Sequence, residues 1–364
     1  MFFVDKYRAL TLTRSWIFSV AAWIVAIGIY MLIRWYGTKD TMDWITGHTL
    51  VLVWLGAGFL FGSIDLLSDF ICDSTGLRKK SYGFLIFFRV LCLILGALIL
   101  LLITRLIALS LGQIGQSEFV SSFTARLTHK ATLAFFLYLG IVDALFSFIR
   151  QMVVKVGGRV MLNLILGKYR NPKTEDRIFM FLDLKSSTSH AERLGHARYS
   201  RLIQDCFYDL TDSAIKHKVE IYQYVGDEAI LTWKIKDGIS SANCINVCFE
   251  FDNTLKRRSE YYQDKYGFVP EFKAGVNTGS VTVAEVGIIK RDIAYHSDVL
   301  NTAARIQGKC NEFGKMILIS TFVKEILPSK LPLKYEPIGS VLLRGKMGTV
   351  DIYGVEKVIL GMSP

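Results

Sequence analysis

The chain has 364 residues, of which 51% are hydrophobic, and its 43 Lys and Arg against 32 Asp and Glu give a net charge of +11. A mean hydropathy of +0.35 is too high for an ordinary soluble protein of this length. The positive charge could indicate nucleic-acid binding, but no basic stripe with interleaved aromatic residues is present. The basic residues cluster beside apolar segments, so composition predicts a membrane protein without a nucleic-acid partner.

The N-terminal part contains four apolar segments long enough to cross a bilayer, which needs about 20 residues. They lie at 16–36, about 46–68, 82–109 and 131–153. The first segment exceeds the core of a signal peptide and has no small-residue cleavage site after it, which favours a retained span. We therefore predict a four-helix transmembrane domain over residues 1–153.

Basic residues flank one side of these segments. Lys6, Arg8 and Arg14 precede the first segment, and Arg78, Lys79 and Lys80 lie between the second and the third. Arg150, Lys155 and Arg159 follow the fourth. The positive-inside rule places these flanks in the cytoplasm. The sequence therefore predicts a multi-pass protein of the cell inner (plasma) membrane, with its N-terminus and C-terminal half cytoplasmic.

Two ionisable residues lie deep within the predicted spans. Arg89 is in the third and Asp143 in the fourth, each about ten residues from the predicted inner face, so they could pair inside the bundle. A structural ion pair or snorkelling is the simpler interpretation, and a role in sensing is the alternative. The residues do not identify the signal or the resting activity.

The segment 154–176 begins with glycines, continues as a short apolar run and reaches a polar stop at Pro172. It is too short and too charged for a fifth span. We predict a connecting helix, acting either as a transducer or as a spacer.

Residues 177–364 are predicted to form one α+β domain. RIFMFLDL (177–184) is typical of a buried strand, and 189–217 has helical spacing. A hairpin at Gly226-Asp227, a helix over about 238–264, a strand-turn-strand at 272–287 and late strands follow. This order predicts an α+β sandwich with helices on one sheet face.

Asp183 ends the first of these strands, and Asp227 lies at the turn of the hairpin. If the strand lies beside the hairpin, two carboxylates meet at one sheet edge, where oxygen ligands suit Mg²⁺ or Mn²⁺. Two such ions can hold a triphosphate and activate a hydroxyl. Each aspartate alone is equally typical of a helix cap or a turn. The six cysteines and six histidines show no zinc-like spacing, so the cysteines are predicted core residues and any metal site would use oxygens.

Asn301 and Arg305 are four residues apart in DVLNTAARIQG (298–308), so one helical face presents both. An amide and a guanidinium on one face can orient a ribose and stabilise charge developing on a phosphate. Taken alone, the pair is also typical of a solvated helix face.

The motifs FLDLKSST, YVGDE, DVLNTAARIQ and LRGK, in this order, resemble the class III nucleotidyl (adenylyl and guanylyl) cyclases of the bacterial membrane-bound type, over residues 175–357. The resemblance implies a ferredoxin-like antiparallel sheet with helices packed on it. It also implies that Asp183, Asp227 and the backbone carbonyl of Leu184 bind two Mg²⁺ (or Mn²⁺). Asn301 would position the ribose, and Arg305 would contact the α-phosphate in the transition state.

The resemblance also implies two basic contacts to the triphosphate substrate. Arg344 of LRGK stands where the family has a triphosphate-binding Lys, and Lys273 stands where it has a basic residue for the terminal phosphates. Family members act as head-to-tail dimers in which one chain supplies the aspartates and the other supplies Asn and Arg. The implied reaction is attack of the ribose 3′-oxygen on the α-phosphorus, with release of pyrophosphate.

The base-reading positions depart from the family. Adenylyl cyclases have a Lys four residues before the second metal aspartate and an Asp or Thr seven residues before the ribose Asn, whereas this chain has Gln223 and Ala294. The guanylyl pattern of Glu and Cys is also absent. ATP is the predicted substrate, and GTP or a pyrimidine triphosphate are alternatives.

Three other functions are weaker interpretations. The Gly226-Asp227-Glu228 run is similar to a diguanylate cyclase signature, but Val225 replaces its first Gly. A catalytically silent sensor or scaffold usually loses a metal Asp or the Arg, and this chain keeps both. A transporter or channel is disfavoured because the four spans have few polar interior residues.

Overall fold

The computed structural model describes residues 2–37, 47–74, 77, 80–112, 115–289, 291–342 and 349–358. The chain divides into two compact units, Met1–Gly158 and Arg159–Pro364. The predicted class, an α-helical half followed by an α+β domain, is confirmed by this arrangement.

The described residues of the first unit form helices joined by short turns, with no strand among them. Its helices are α1 (Phe2–Gly37), α2 (Gly47–Ser74), α3 (Tyr82–Ser110), α4 (Phe119–Thr128) and α5 (Lys130–Val156). Four segments are long and apolar enough to cross a membrane, namely Ser15–Arg34, Val51–Cys72, Tyr82–Ser110 and Lys130–Val153. Each predicted span overlaps one of them.

Small residues bring α1 and α2 close together. A Cβ added at Gly58 would lie 2.9 Å from the Ile24 Cα, and one at Gly62 would lie 2.6 Å from the Val20 Cα. Glycines four residues apart are typical of helix pairs in membranes because they allow the backbones to approach.

Arg89 does not have the predicted ion-pair partner. Its guanidinium donates to Asp69 on α2 rather than to Asp143 on α5. The prediction ended the second span at residue 68, whereas α2 continues to Ser74. Asp69 therefore lies on α2 itself, and its carboxylate accepts a hydrogen bond from Arg89.

The second unit contains most of the remaining elements. Its helices are α6 (Gly158–Ile165), α7 (Ser187–Leu194), α8 (His196–Lys216), α9 (Ile235–Ile239), α10 (Asn243–Arg257), α11 (Ser259–Tyr266), α12 (Asp298–Gly308) and α13 (Thr321–Ile326). Its strands are β1 (Lys173–Leu184), β2 (Glu220–Val225), β3 (Glu228–Lys234), β4 (Phe272–Val286), β5 (Asp292–His296), β6 (Ile317–Ser320), β7 (Leu333–Leu342) and β8 (Thr349–Lys357).

The strands form one sheet in the order β2-β3-β1-β4-β6-β8-β7, with β5 also paired to β4. All pairs are antiparallel except β4–β6, so the predicted antiparallel sheet is present with one parallel pair, which makes it a mixed sheet. The polypeptide between β4 and β6 contains β5 and α12, which provide the crossover that a parallel pair requires.

Helices cover both faces of this sheet, not one as predicted. Met180 and Leu182 of β1 pack with α8, α10, α11 and α13, whereas Phe179 and Phe181 pack with Ala303 of α12 on the opposite face. The uninterrupted apolar run of β1 reflects burial on both sides.

The segment predicted as strand-turn-strand at 272–287 is one continuous strand, β4. The Asn-Thr-Gly-Ser run suggested a turn, but its glycine and Gly275 lie beneath α12. A Cβ at Gly275 would lie 2.2 Å from the Gln307 backbone N, so that glycine permits close helix packing. The predicted helix at 189–217 is divided at Gly195, which has a φ of +71°.

Candidate active site

The end of β1 places Asp183 beside the β2–β3 hairpin. In the sheet register, Asp183 lies opposite Glu228 of β3 on one side and opposite Lys273 of β4 on the other. Asp227 forms the β2–β3 turn together with Gly226, whose φ of +63° suits a glycine. The predicted adjacency of the strand and the hairpin is therefore confirmed by the register.

Two side chains contact the Asp183 carboxylate. The Gln307 amide donates to its Oδ2 at 2.9 Å, and the Lys273 Nζ lies 3.4 Å from the same atom. Burial raises the pKa of Asp183, and the negative charge of Asp227 raises it further, whereas Lys273 opposes the increase. The two aspartates therefore lie close enough to interact electrostatically.

The surroundings of Asp227 contain an excess of negative charge. Its Oδ2 is buried and has no hydrogen-bond partner among the described residues. Burial, then the charges of Asp183 and Asp227, raise the pKa of Glu228 to about 7. Burial, then the charge of Asp227 and a hydrogen bond to it, raise the pKa of Tyr199 to about 12.

This donor set fits a divalent cation. An unpartnered buried carboxylate oxygen and neighbouring acids that repel one another are stabilised by a hard cation with oxygen ligands. The described residues contain no group of three or more His, Cys, Asp or Glu side chains suited to a metal. A metal held here would therefore need further oxygens, for which the Leu184 carbonyl at the end of β1 is a candidate.

Helix α12 presents Asn301 and Arg305 on sides other than the one from which Gln307 contacts Asp183. The Ser297 hydroxyl accepts from the Val299 N–H and caps the helix. Arg305 lies two residues before Gln307, about 200° around the helix, so the two side chains leave opposite sides. Asn301 is exposed, and the Arg305 Nη1 is buried without a hydrogen-bond partner among the described residues. Arg305 therefore retains a donor for a ligand.

The two positions predicted to read the base, Gln223 and Ala294, lie on strands whose neighbouring residues are in contact. Gln223 is exposed on β2 opposite Ile230, and Ala294 lies on β5 opposite Ala284. The rings of Tyr222 and Tyr295, one residue from each position, meet edge to face with centroids 4.9 Å apart. Arg344, the remaining predicted site residue, lies outside the described residues.

Three neighbours of the aspartates were not predicted. Glu228 stands next to Asp227 in the YVGDE motif, so proximity in sequence could have identified it. Gln307 and Tyr199 reach the site only through the packing of α12 and α8, for which the local sequence gives no signal.

Comparison with known proteins identifies the class to which this fold and site belong. The adenylate and guanylate cyclase catalytic domain family matches residues 170–357, which is more than half of the chain. The chain therefore belongs to the adenylate and guanylate cyclase family through its second unit.

Two curated relatives come from Rhizobium meliloti (strain 1021). The chain is 32% identical over 199 residues to "Adenylate cyclase 2", covering 55% of each protein. It is 23% identical over 185 residues to "Adenylate cyclase 1", covering 50% of this chain and 27% of the relative. The chain thus spans about half or less of the length of the curated relatives it matches.

A solved structure of a bacterial light-regulated adenylyl cyclase has a similar fold. The TM-score is 0.54 at 16% sequence identity, covering 63% of this chain and 67% of the other. At this identity the likeness supports the cyclase fold alone.

Proposed function

We propose that this protein is a membrane-bound nucleotidyl cyclase that converts ATP to 3′,5′-cyclic AMP and pyrophosphate. The observation that carries the proposal is the meeting of Asp183 and Asp227, from separate β-elements, beside Lys273. Paired acids next to a cationic amine suit a site for metal ions and polyphosphate. The proposed orientation places this unit in the cytoplasm of an inner-membrane protein, as the basic flanks of the spans suggest.

Asp183, Asp227 and the Leu184 carbonyl would hold two Mg²⁺ or Mn²⁺ ions, which when bound supply Lewis-acid activation of a hydroxyl and neutralise phosphate charge. Lys273 lies 3.4 Å from Asp183 and can contact the terminal phosphates of the same nucleotide. Arg344 is proposed as a second triphosphate contact on the basis of its motif.

A second copy of the chain would complete the site. Arg305 leaves α12 on the side opposite Gln307, and Gln307 is the residue of this helix that contacts Asp183 of the same chain. In a head-to-tail homodimer, Asn301 of one chain would orient the ribose held by the other. Arg305 would then donate to the α-phosphate as the bond from O3′ to the α-phosphorus forms and the bond to pyrophosphate breaks.

ATP is proposed because a relative that is 32% identical is named an adenylate cyclase and because Gln223 can both donate to and accept from an adenine edge. Ala294 offers no side-chain polar group to the base. GTP or a pyrimidine triphosphate is therefore the second candidate substrate.

A substrate assay tests this proposal. Purified full-length protein with Mn²⁺ or Mg²⁺ is offered ATP, GTP, CTP and UTP separately, and the cyclic products are identified. We expect cyclic AMP from the wild-type protein and no product from Asp183→Ala or Asp227→Ala. Asp212→Asn, an exposed substitution on α8, should retain wild-type turnover. Cyclic product from both alanine variants would refute the metal site, and exclusive turnover of another triphosphate would refute the choice of base.

A further inference from the structure

A second set of charged and polar side chains lies in the helical unit. Arg150 on α5 donates to both oxygens of Asp65 on α2, at 2.5 and 2.7 Å, and to Asp69 at 3.2 Å. Arg89 on α3 donates to Asp69, and the Ser19 hydroxyl on α1 donates to Asp65. Two carboxylates thus balance two guanidiniums within this ion-pair network.

Asp143 on α5 is a third acid beside this balanced network. Its side chain is 1% exposed, and its Oδ2 has no hydrogen-bond partner among the described residues. Asp65, Asp69, Arg89 and Arg150 are all within electrostatic range of it, as is the Cys92 thiol on α3. If Asp143 were ionised, three negative charges would face two positive ones, leaving one uncompensated charge in the interior of a helix bundle.

Other buried polar atoms of the helical unit also lack hydrogen-bond partners among the described residues, including Nε and Nη1 of Arg89 and Nε of Arg150 in the network itself. Ser147 follows Asp143 by one helical turn and is 0% exposed, and its Oγ has no partner among the described residues. The Trp23 indole N–H on α1 is also buried without a partner. The Trp23 ring lies 5.5 Å from the ring of Phe146, the residue next to Ser147, so Trp23 packs against the part of α5 that carries Asp143 and Ser147.

Such groups are costly in an apolar bundle unless a ligand satisfies them. A metal ion would need six or more oxygen ligands, or several retained waters. The carboxylates of Asp65 and Asp69 are already engaged by arginines, which leaves Asp143 Oδ2 and Ser147 Oγ as the buried side-chain oxygens without a partner in the described part of the helical unit. A proton needs only one oxygen, and it removes the uncompensated charge.

We propose that Asp143 is a proton-binding site in the interior of the helical unit. One proton from bulk water adds to the Asp143 carboxylate to give the neutral acid, and it returns to water on release. When the proton is bound, the ion-pair network is electrically balanced. When it is absent, Asp143 competes with Asp65 and Asp69 for Arg150, which lies two turns further along the same face of α5. This site does not depend on the proposed nucleotide chemistry.

Infrared difference spectroscopy of the full-length protein in lipid nanodiscs tests the proposal, because a protonated carboxyl has its own carbonyl band. Because Glu228 has a pKa of about 7 and would contribute a band of its own, every protein compared carries Glu228→Gln. We expect a band that appears on acidification in the protein with wild-type Asp143 and in the matched control Asp212→Asn, and that is absent from Asp143→Asn. Above the midpoint, each further pH unit should lower the protonated population about tenfold. Replacing sodium by choline at constant pH should leave the band unchanged.

The proposal is overturned if Asp143→Asn retains the wild-type band, or if sodium displaces that band at constant pH. Asp143→Glu keeps a carboxyl at the site and provides an independent measurement should Asp143→Asn fail to fold. We expect its band to shift in frequency and midpoint, whereas a band identical to the wild type would assign the signal to another acid.

Discussion

The close packing of α12 on β4 predicts a strong effect of substituting Gly275. In Gly275→Ala, the new Cβ would lie 2.2 Å from the Gln307 N and 2.5 Å from the Ala303 O. Both are backbone atoms, so no rotamer change relieves the contact, and α12 must move by roughly 1 Å to restore ordinary separations. Overpacking of this kind costs about 1–3 kcal/mol of stability.

The displacement should also reduce activity because Asn301 and Arg305 lie on the same helix. A misplacement of about 1 Å in a group that contacts the reacting atoms can lower the rate about 10²-fold. The assay compares turnover and thermal unfolding of Gly275→Ala with those of Gly308→Ala. The control adds a methyl to the same helix where nothing lies within 4 Å.

We expect Gly275→Ala to lose most of its turnover and Gly308→Ala to stay near the wild-type value. Wild-type turnover and unfolding temperature in Gly275→Ala would refute the argument from packing. A loss of stability without a loss of turnover would show that α12 does not hold groups of the active site.

Three further predictions concern Gln307, His217 and Asp209. Gln307→Leu removes the amide that donates to Asp183 at 2.9 Å. We therefore expect weaker Mn²⁺ binding by calorimetry as well as slower turnover. Unchanged Mn²⁺ binding would contradict the role of Gln307 in positioning Asp183. Burial holds the pKa of His217 below its usual 6.5. The unfolded chain therefore binds more protons in acid, so the contribution of His217 to stability should be fully present above about pH 6.5 and decrease below it. We expect His217→Gln to flatten this decrease in unfolding temperature between about pH 5 and 7.5. An unaltered slope would contradict the role of His217. Asp209→Ala leaves the buried Tyr262 hydroxyl, which donates to Asp209 at 2.7 Å, without its acceptor. We expect a loss of about 1–3 kcal/mol in chemical denaturation, and a wild-type midpoint would be inconsistent with this.

Much of the fold follows from local sequence. The apolar run before Asp183 predicts a buried strand, and Gly226-Asp227 predicts the hairpin, because each pattern has a direct local cause. The four long apolar segments predict helices for the same reason.

The differences arise where tertiary packing overrides local patterns. The Asn-Thr-Gly-Ser run of β4 has the composition of a turn, but its glycine and Gly275 allow α12 to approach the strand, and only the packed helix reveals this. The parallel pairing of β4 with β6 depends on a crossover that no periodicity specifies. The pairing of Arg89 with Asp69 was missed because hydropathy ended the second span at residue 68, whereas α2 continues to Ser74 and includes Asp69.

The residues of the candidate site also divide into those that a local motif predicts and those that only tertiary packing places there. Asp183 and Asp227 could be predicted because each has a motif and a strand or turn to position it. Gln307 could not, since its role depends on which side of α12 faces β1. Arg305 could be named from its motif, but its position on the side of α12 opposite Gln307, which contacts Asp183, required the structure.

Mixing inactive chains tests most directly the claim that aspartates from one chain and Arg305 from another form each site. Equal amounts of Asp227→Ala and Arg305→Ala protein are dissociated, mixed and reassembled. Half of the dimers should be mixed, and each should contain one site free of both substitutions, so turnover should recover to about one quarter of wild type. Asp183→Ala mixed with Asp227→Ala should stay inactive, because every site then lacks one aspartate. No recovery from the first mixture, with mixed dimers demonstrated, would contradict the shared site.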